Sequence, residues 1–155
     1  MQAALGEAEA AATAGEVPVG AVAVLDGEII ARGRNAAITD CDPTAHAEMT
    51  VLRRAAGRVG NYRLKGVTVY VTLEPCLMCY AAMVHARIDR LVFGADDPKT
   101  GVLSTGALER VAVVFNHAVH MEGGCLKRQC SRILKDFFIE RRGAGAVERG
   151  GLENR

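Results

Sequence analysis

The sequence predicts one α/β domain in which helices cover a sheet. Three observations carry this. Short strand-like runs, VGAVAVL, VTVYVTL and RLVFG, alternate with longer stretches of helix formers, TAHAEMTVLRRAA and PCLMCYAAMVHAR. Half of the 155 residues are hydrophobic, enough for an ordinary core in a single domain. Five cysteines, an odd number, and an opening MQAALGEAEA without basic or long apolar character give no sign of a disulfide framework or an export signal. A reduced, cytoplasmic protein is expected. No apolar run approaches the roughly 18 to 20 residues that cross a bilayer, so no membrane partner is expected either.

Residues 3–14, AALGEAEAAATA, favour a helix that Gly15 ends. VGAVAVL, Asp26-Gly27 and EIIARG read as a hairpin, because this dipeptide accepts the positive backbone angles of a tight turn. After a polar loop over 35–42, Asp42 reads as an N-cap and Pro43 as the first helical position of a helix lasting to Gly57. VTVYVTL alternates like a strand, Pro75 opens a further helix, and RLVFG is a third apolar run of strand type. In 96–117, DDPKTG is loop-like, while VAVVF suits either a strand or a loop over the core. The chain from Gly124 to Arg142 reads as an amphipathic helix with Leu126, Ile133, Leu134, Phe137 and Phe138 inward. The domain is expected to span 1–142, and a disordered tail to follow over 143–155.

The stretch TLEPCLMC raises the chemical question. Its two thiols can be a redox dithiol, part of a metal site, or buried apolar groups. On a helix, Cys76 and Cys79 share a face, and the helix start favours thiolate at Cys76. His46 also sits at a helix start, and two Cys with a neutral His suit zinc, with sulfur at about 2.3 Å and nitrogen at about 2.0 Å. Three ligands leave a fourth position for water, whose pKa zinc lowers from about 15.7 to around 7. Glu48, two residues beyond His46, is the candidate proton carrier, since side chains lean toward the helix N-terminus. Cys41 is the only nearby fourth ligand for a structural site. Cys125 and Cys130 read as small core residues, and His85, His117 and His120 as surface or locally bonded imidazoles.

HAE at one helix start and PCLMC at the next resemble the H-x-E and P-C-x-x-C signature of zinc-dependent nucleobase deaminases. Within that superfamily the chain is most similar to bacterial tRNA-specific adenosine deaminases, through GEVPVGAVAV, DPTAHAE, NYRL, TLEPCLMCYAAMVHARI, VFGADDPKTG and DFFIERR. The resemblance implies a three-layer α/β/α cytidine-deaminase-like fold, with a central mixed sheet of about five strands. It implies hydrolytic deamination of adenosine to inosine at the wobble position of a tRNA anticodon. One zinc per chain would be held by His46, Cys76 and Cys79, with Glu48 moving protons. It also implies that Asn35 bonds the purine and the backbone near Ala47 lines the same pocket. Asp97 and Lys99 would lie along the nucleotide strand, and Phe138, Arg141 and Arg142 on the anticodon stem-loop, in a homodimer.

Net charge is only +1, but 127–149 holds seven Lys or Arg against Asp136, Glu140 and Glu148. A solvated helix face explains most such runs, and an RNA-facing helix with neighbouring phenylalanines is the sharper reading. The family pattern is not matched over 102–115, and Ile139-Glu140 occupy positions that are often more basic in it. Three alternatives stand beside the tRNA reading: a zinc deaminase of a free base or nucleoside, guanine or cytosine type, a Cys76–Cys79 redox protein, and a catalytically silent RNA-binding module.

Overall fold

The computed structural model describes the backbone of residues 1–152 and the side chains of residues 1–145. The elements run α1 (Gln2–Thr13), β1 (Gly20–Leu25), β2 (Glu28–Arg34), α2 (Ala47–Val59), β3 (Thr68–Leu73), α3 (Leu77–His85), β4 (Arg90–Ala95), α4 (Ala107–Val111), β5 (His120–Glu122) and α5 (Lys127–Leu152). The sheet order is β2-β1-β3-β4-β5. β1 is antiparallel to β2 and β3, whereas β3, β4 and β5 run parallel, so the sheet is mixed. Asp26 and Gly27 both take positive φ, 51° and 79°, as the expected hairpin turn requires.

Helices pack on both faces of the sheet, which gives the three layers expected. α1 and α5 share one face, where Leu5, Ala95 and Cys130 form a small cluster. α2 and α3 cover the other, over a core that includes Val51, Leu64, Val69, Val71, Met83, Ile88, Leu91 and Phe93. The close seat of α2 depends on Gly33 in β2: a Cβ there would stand 2.8 Å from the Ala47 carbonyl oxygen.

Several boundaries differ from the expectation, each for a local reason. Asp42 caps no helix. Its Oδ1 accepts from the backbone N–H and the hydroxyl of Thr44, a side-chain turn that delays α2 until Ala47. Gly57 lies inside α2, and Gly60, with φ of 75°, ends it. α3 starts at Leu77 rather than Pro75 and stops at His85. VAVVF forms no strand: it holds the end of α4 and a 3-10 turn, Ala112–Val114, with Val113 84% exposed, while Phe115 packs on the core, edge-on to Tyr80. β5 was not foreseen, because three residues pairing with β4 carry no pattern of their own. α5 begins at Lys127, keeps Phe137 at the core, and leaves Phe138 outward, 43% exposed. Its backbone stays helical through Leu152, across the first part of the expected tail, whose last three residues lie outside the described ones. No helix among the described residues is long and apolar enough to cross a membrane.

Candidate metal centre and active site

The starts of α2 and α3 meet on one face of the sheet. His46 is the N-cap of α2 and Cys76 the N-cap of α3, both with extended backbone, and Cys79 is the third residue of α3. His46 Nδ1 lies 3.7 Å from Cys76 Sγ and 3.5 Å from Cys79 Sγ. Ordinary zinc–sulfur and zinc–nitrogen bonds at a tetrahedral angle put such atoms about 3.5 Å apart. The three ligand atoms lie within 4.8 Å of one another, so this donor set fits a zinc-sized cation. Cys41 does not join them, since its exposed thiol turns to the Ile38 carbonyl. The N-cap position of His46 also removes the difficulty of a ligand and a proton carrier two residues apart on a helix. With ψ of 153°, His46 stands outside the helical repeat, and Glu48 points inward on its own account, 4% exposed.

The electrostatics mark the cluster as a place for a cation. The Cys79 thiol beside it, then His46, pull the Cys76 thiol down to about 4, against its burial. Cys79 is pushed up, first by its bond to Cys76 and then by burial. His46 is raised, chiefly by Cys76. Burial pushes Glu48 up to about 7, and the proximity of Cys76 adds to this. Thiolate, imidazole and a carboxylate near neutrality form a set that binds a soft dication and exchanges protons at physiological pH.

The geometry has counterparts among known proteins. The family model of MafB19-like deaminases matches residues 1–142. The tRNA-specific adenosine deaminase of Haemophilus influenzae is 45% identical, over 99% of this chain and 90% of its own. The chain belongs to the tRNA-specific adenosine deaminase family. Among solved structures, a tRNA:A34 deaminase studied for A-to-I editing superposes with a TM-score of 0.83 at 46% identity, covering 86% of this chain and 97% of that one. The guanine deaminase of Bacillus subtilis matches with a TM-score of 0.59 at 37% identity, covering 68% and 65%.

Around this deaminase centre the other expected site residues fall into two groups. Asn35 and Ala47 are joined: Asn35 Oδ1 accepts the Ala47 N–H at 2.9 Å, so the Asn35 NH2 is the donor end of the amide. Lys99, Phe138, Arg141 and Arg142 line one open cleft of ≈ 420 Å³. Arg141 also donates to the Gly15 carbonyl at 3.0 Å and stacks 5.0 Å above Phe137, so it ties α5 to the end of α1. Asp97 faces its own loop: its carboxylate accepts from Lys99 N–H, Thr100 N–H and the Thr100 hydroxyl. His85 and His120 are exposed, and His117 bonds the Ile88 carbonyl, so none joins the centre. Cys130 is buried as expected, whereas Cys125 is half-buried.

Two buried carboxylates had no assigned task in the sequence. Glu16 accepts from the N–H groups of Ile38 and Thr39 and from the Thr39 hydroxyl, holding the loop that follows Asn35. Glu74 holds the loop that contains Asp97 and Lys99. A charged residue ending the apolar run VTVYVTL was the available signal, but nothing local names its partners.

Proposed function

We propose that this protein deaminates adenosine to inosine at the wobble position of a tRNA anticodon, by hydrolysis and with zinc. One observation carries the reading: a His–Cys–Cys set at zinc spacing, with a buried, proton-holding Glu48 beside it, in a chain that aligns almost end to end with a tRNA-specific deaminase. His46, Cys76 and Cys79 would hold the zinc, which would supply an activated water at neutral pH. Glu48 takes a proton from the water and delivers one to the purine ring nitrogen. It would then move the proton of the new C6 hydroxyl to the departing amine, so that the C6–N bond breaks as the carbonyl forms and ammonia leaves without any redox partner. A carboxylate whose pKa stands near 7 suits both halves of this task.

The Asn35 amide and the backbone near Ala47 receive the base, and their shared hydrogen bond fixes one against the other. Lys99, Phe138, Arg141 and Arg142 receive the RNA strand, with a cationic cleft for phosphates and an exposed ring for an unpaired base. Asp97 acts by shaping the loop that presents Lys99. Residues 1–142 form the catalytic domain, the span that the family model matches. A homodimer accords with a mainly apolar groove of Met49, Leu52, Ala56, Tyr62, Ala82 and Ala86, which Arg53 and His85 also line, where a second copy would cover Tyr62. A cytoplasmic setting, where tRNA is met, goes with this reading.

The deciding experiment incubates the zinc-loaded protein with an anticodon stem-loop carrying adenosine at the wobble position. Inosine at that nucleotide alone is expected. No inosine there, together with turnover of free guanine or cytosine, would replace the tRNA reading by that of a small-molecule deaminase, which the likeness to guanine deaminase keeps in view.

A further inference from the structure

Glu74 lies at the turn from β3 to α3, two residues before Cys76, and is 2% exposed. It has no ion-pair partner among the described residues. Its carboxylate instead accepts four hydrogen bonds from one loop. Oε1 takes the N–H groups of Leu103 at 2.7 Å and Ser104 at 2.8 Å, and Oε2 takes the Asp97 N–H at 2.8 Å and the Ser104 hydroxyl at 2.5 Å. An ionised carboxylate offers about four acceptor sites, so this loop fills them.

The loop is fitted to the carboxylate from the other side as well. A Cβ on Gly101 would stand 2.3 Å from the Glu74 carboxyl group, so only glycine permits the wrap. Gly101 pairs with Cys76 in an isolated bridge, and Val102 N–H donates to the Pro75 carbonyl at 3.0 Å. A buried carboxylate without these donors is expensive, and without the Glu74 side chain the three amides lose their acceptors. Loop order and Glu74 burial therefore stand or fall together. The same few residues join the loop to the backbone of a metal ligand.

We propose that Glu74 is a positioning residue which locks the 96–105 loop, and with it Lys99, at a fixed place relative to Cys76, and so sets how tightly the RNA strand is held. Among the described residues Glu74 makes its hydrogen bonds to the loop and none to the donor atoms of His46, Cys76 or Cys79. This rests on the reading of Lys99 as a strand contact, and the test separates the two.

The test compares Glu74→Gln, Ser104→Ala and Lys99→Ala in the zinc-loaded enzyme on the wobble-adenosine stem-loop, with zinc content and amide exchange at Asp97, Leu103 and Ser104. In Glu74→Gln one acceptor becomes a donor facing the Asp97 N–H. Exchange at those amides should then quicken by about tenfold or more, and KM should rise about tenfold with kcat within about threefold. Zinc should stay at one per chain, and adding Lys99→Ala to Glu74→Gln should raise KM by less than it does alone. A merely structural role would lower the folded fraction and spare KM. Unchanged exchange, unchanged KM, or a fall in kcat with KM intact overturns the proposal. If Lys99→Ala leaves KM unchanged, the strand-contact reading fails and takes the proposal with it; if only Lys99→Ala raises KM, Glu74's role alone fails. Should Glu74→Gln not fold, Ser104→Ala keeps the carboxylate and removes one donor, and a KM increase of about two- to threefold is expected; no increase overturns the proposal.

Discussion

Glu48 and Glu74 are both carboxylates sealed from solvent near the starts of adjacent helices, 4% and 2% exposed, yet their surroundings are opposite. Glu74 is met by three backbone amides and a hydroxyl. Glu48 is met by sulfur and imidazole, and burial drives it up to about 7. The difference teaches that burial alone does not make a carboxylate reactive. Where donors fill its acceptor sites, a buried carboxylate builds structure; where burial outweighs its hydrogen bonds, as at Glu48, the carboxyl moves toward neutrality and can exchange a proton.

The strongest test of this contrast strips the reactive side of its metal. Cys79→Ala should bring bound zinc below one per chain and turnover to background, as read by metal analysis and inosine formation. Next, Glu48→Gln should keep zinc and RNA binding while turnover falls by about 10² to 10⁴, the range for losing a general acid–base. If turnover survived in Glu48→Gln, the contrast between the two carboxylates would lose its functional half.

Glu16 sharpens the comparison from the donor-rich side. Burial works to raise its pKa, but the bonds from Thr39 and Ile38, with Arg141 nearby, outweigh it and leave the carboxyl below its usual 4.5. A lowered carboxyl contributes stability above the unfolded value and loses it as pH falls through the folded one. Glu16→Gln should accordingly destabilise the protein by about 1 to 3 kcal/mol at pH 7, by urea unfolding, with the deficit shrinking below about pH 4.5. A deficit that stayed constant to pH 3 would show that charge is not what Glu16 supplies. The smallest effect is expected at Arg142→Ala, whose side chain lines the strand cleft. A KM increase of a few-fold and a shallower salt dependence should follow, with kcat unchanged.

The sequence made the reactive carboxylate legible and kept the structural ones hidden, for a physical reason. His46, Glu48, Cys76 and Cys79 sit in two short motifs whose spacing already implies convergence. Glu74 depends on amides more than twenty residues downstream, and no local pattern announces a backbone donor. The alternation of strands and helices was enough for the layers and four of the strands. Helix starts were less so: Asp42-Pro43 carries every mark of a cap, and only the turn onto Thr44 shows why the helix waits for His46. The apolar run VAVVF divides, Val113 and Val114 facing outward while Phe115 packs on the core, so hydrophobicity alone does not locate the cover.

Gly33 couples two functions that the chemistry treats separately. Because the first turn of α2 rests directly on that bare α-carbon, any side chain there would lift imidazole and proton carrier as one body away from the two sulfurs. A methyl group on the neighbouring strand would thus weaken metal retention and catalytic speed in step.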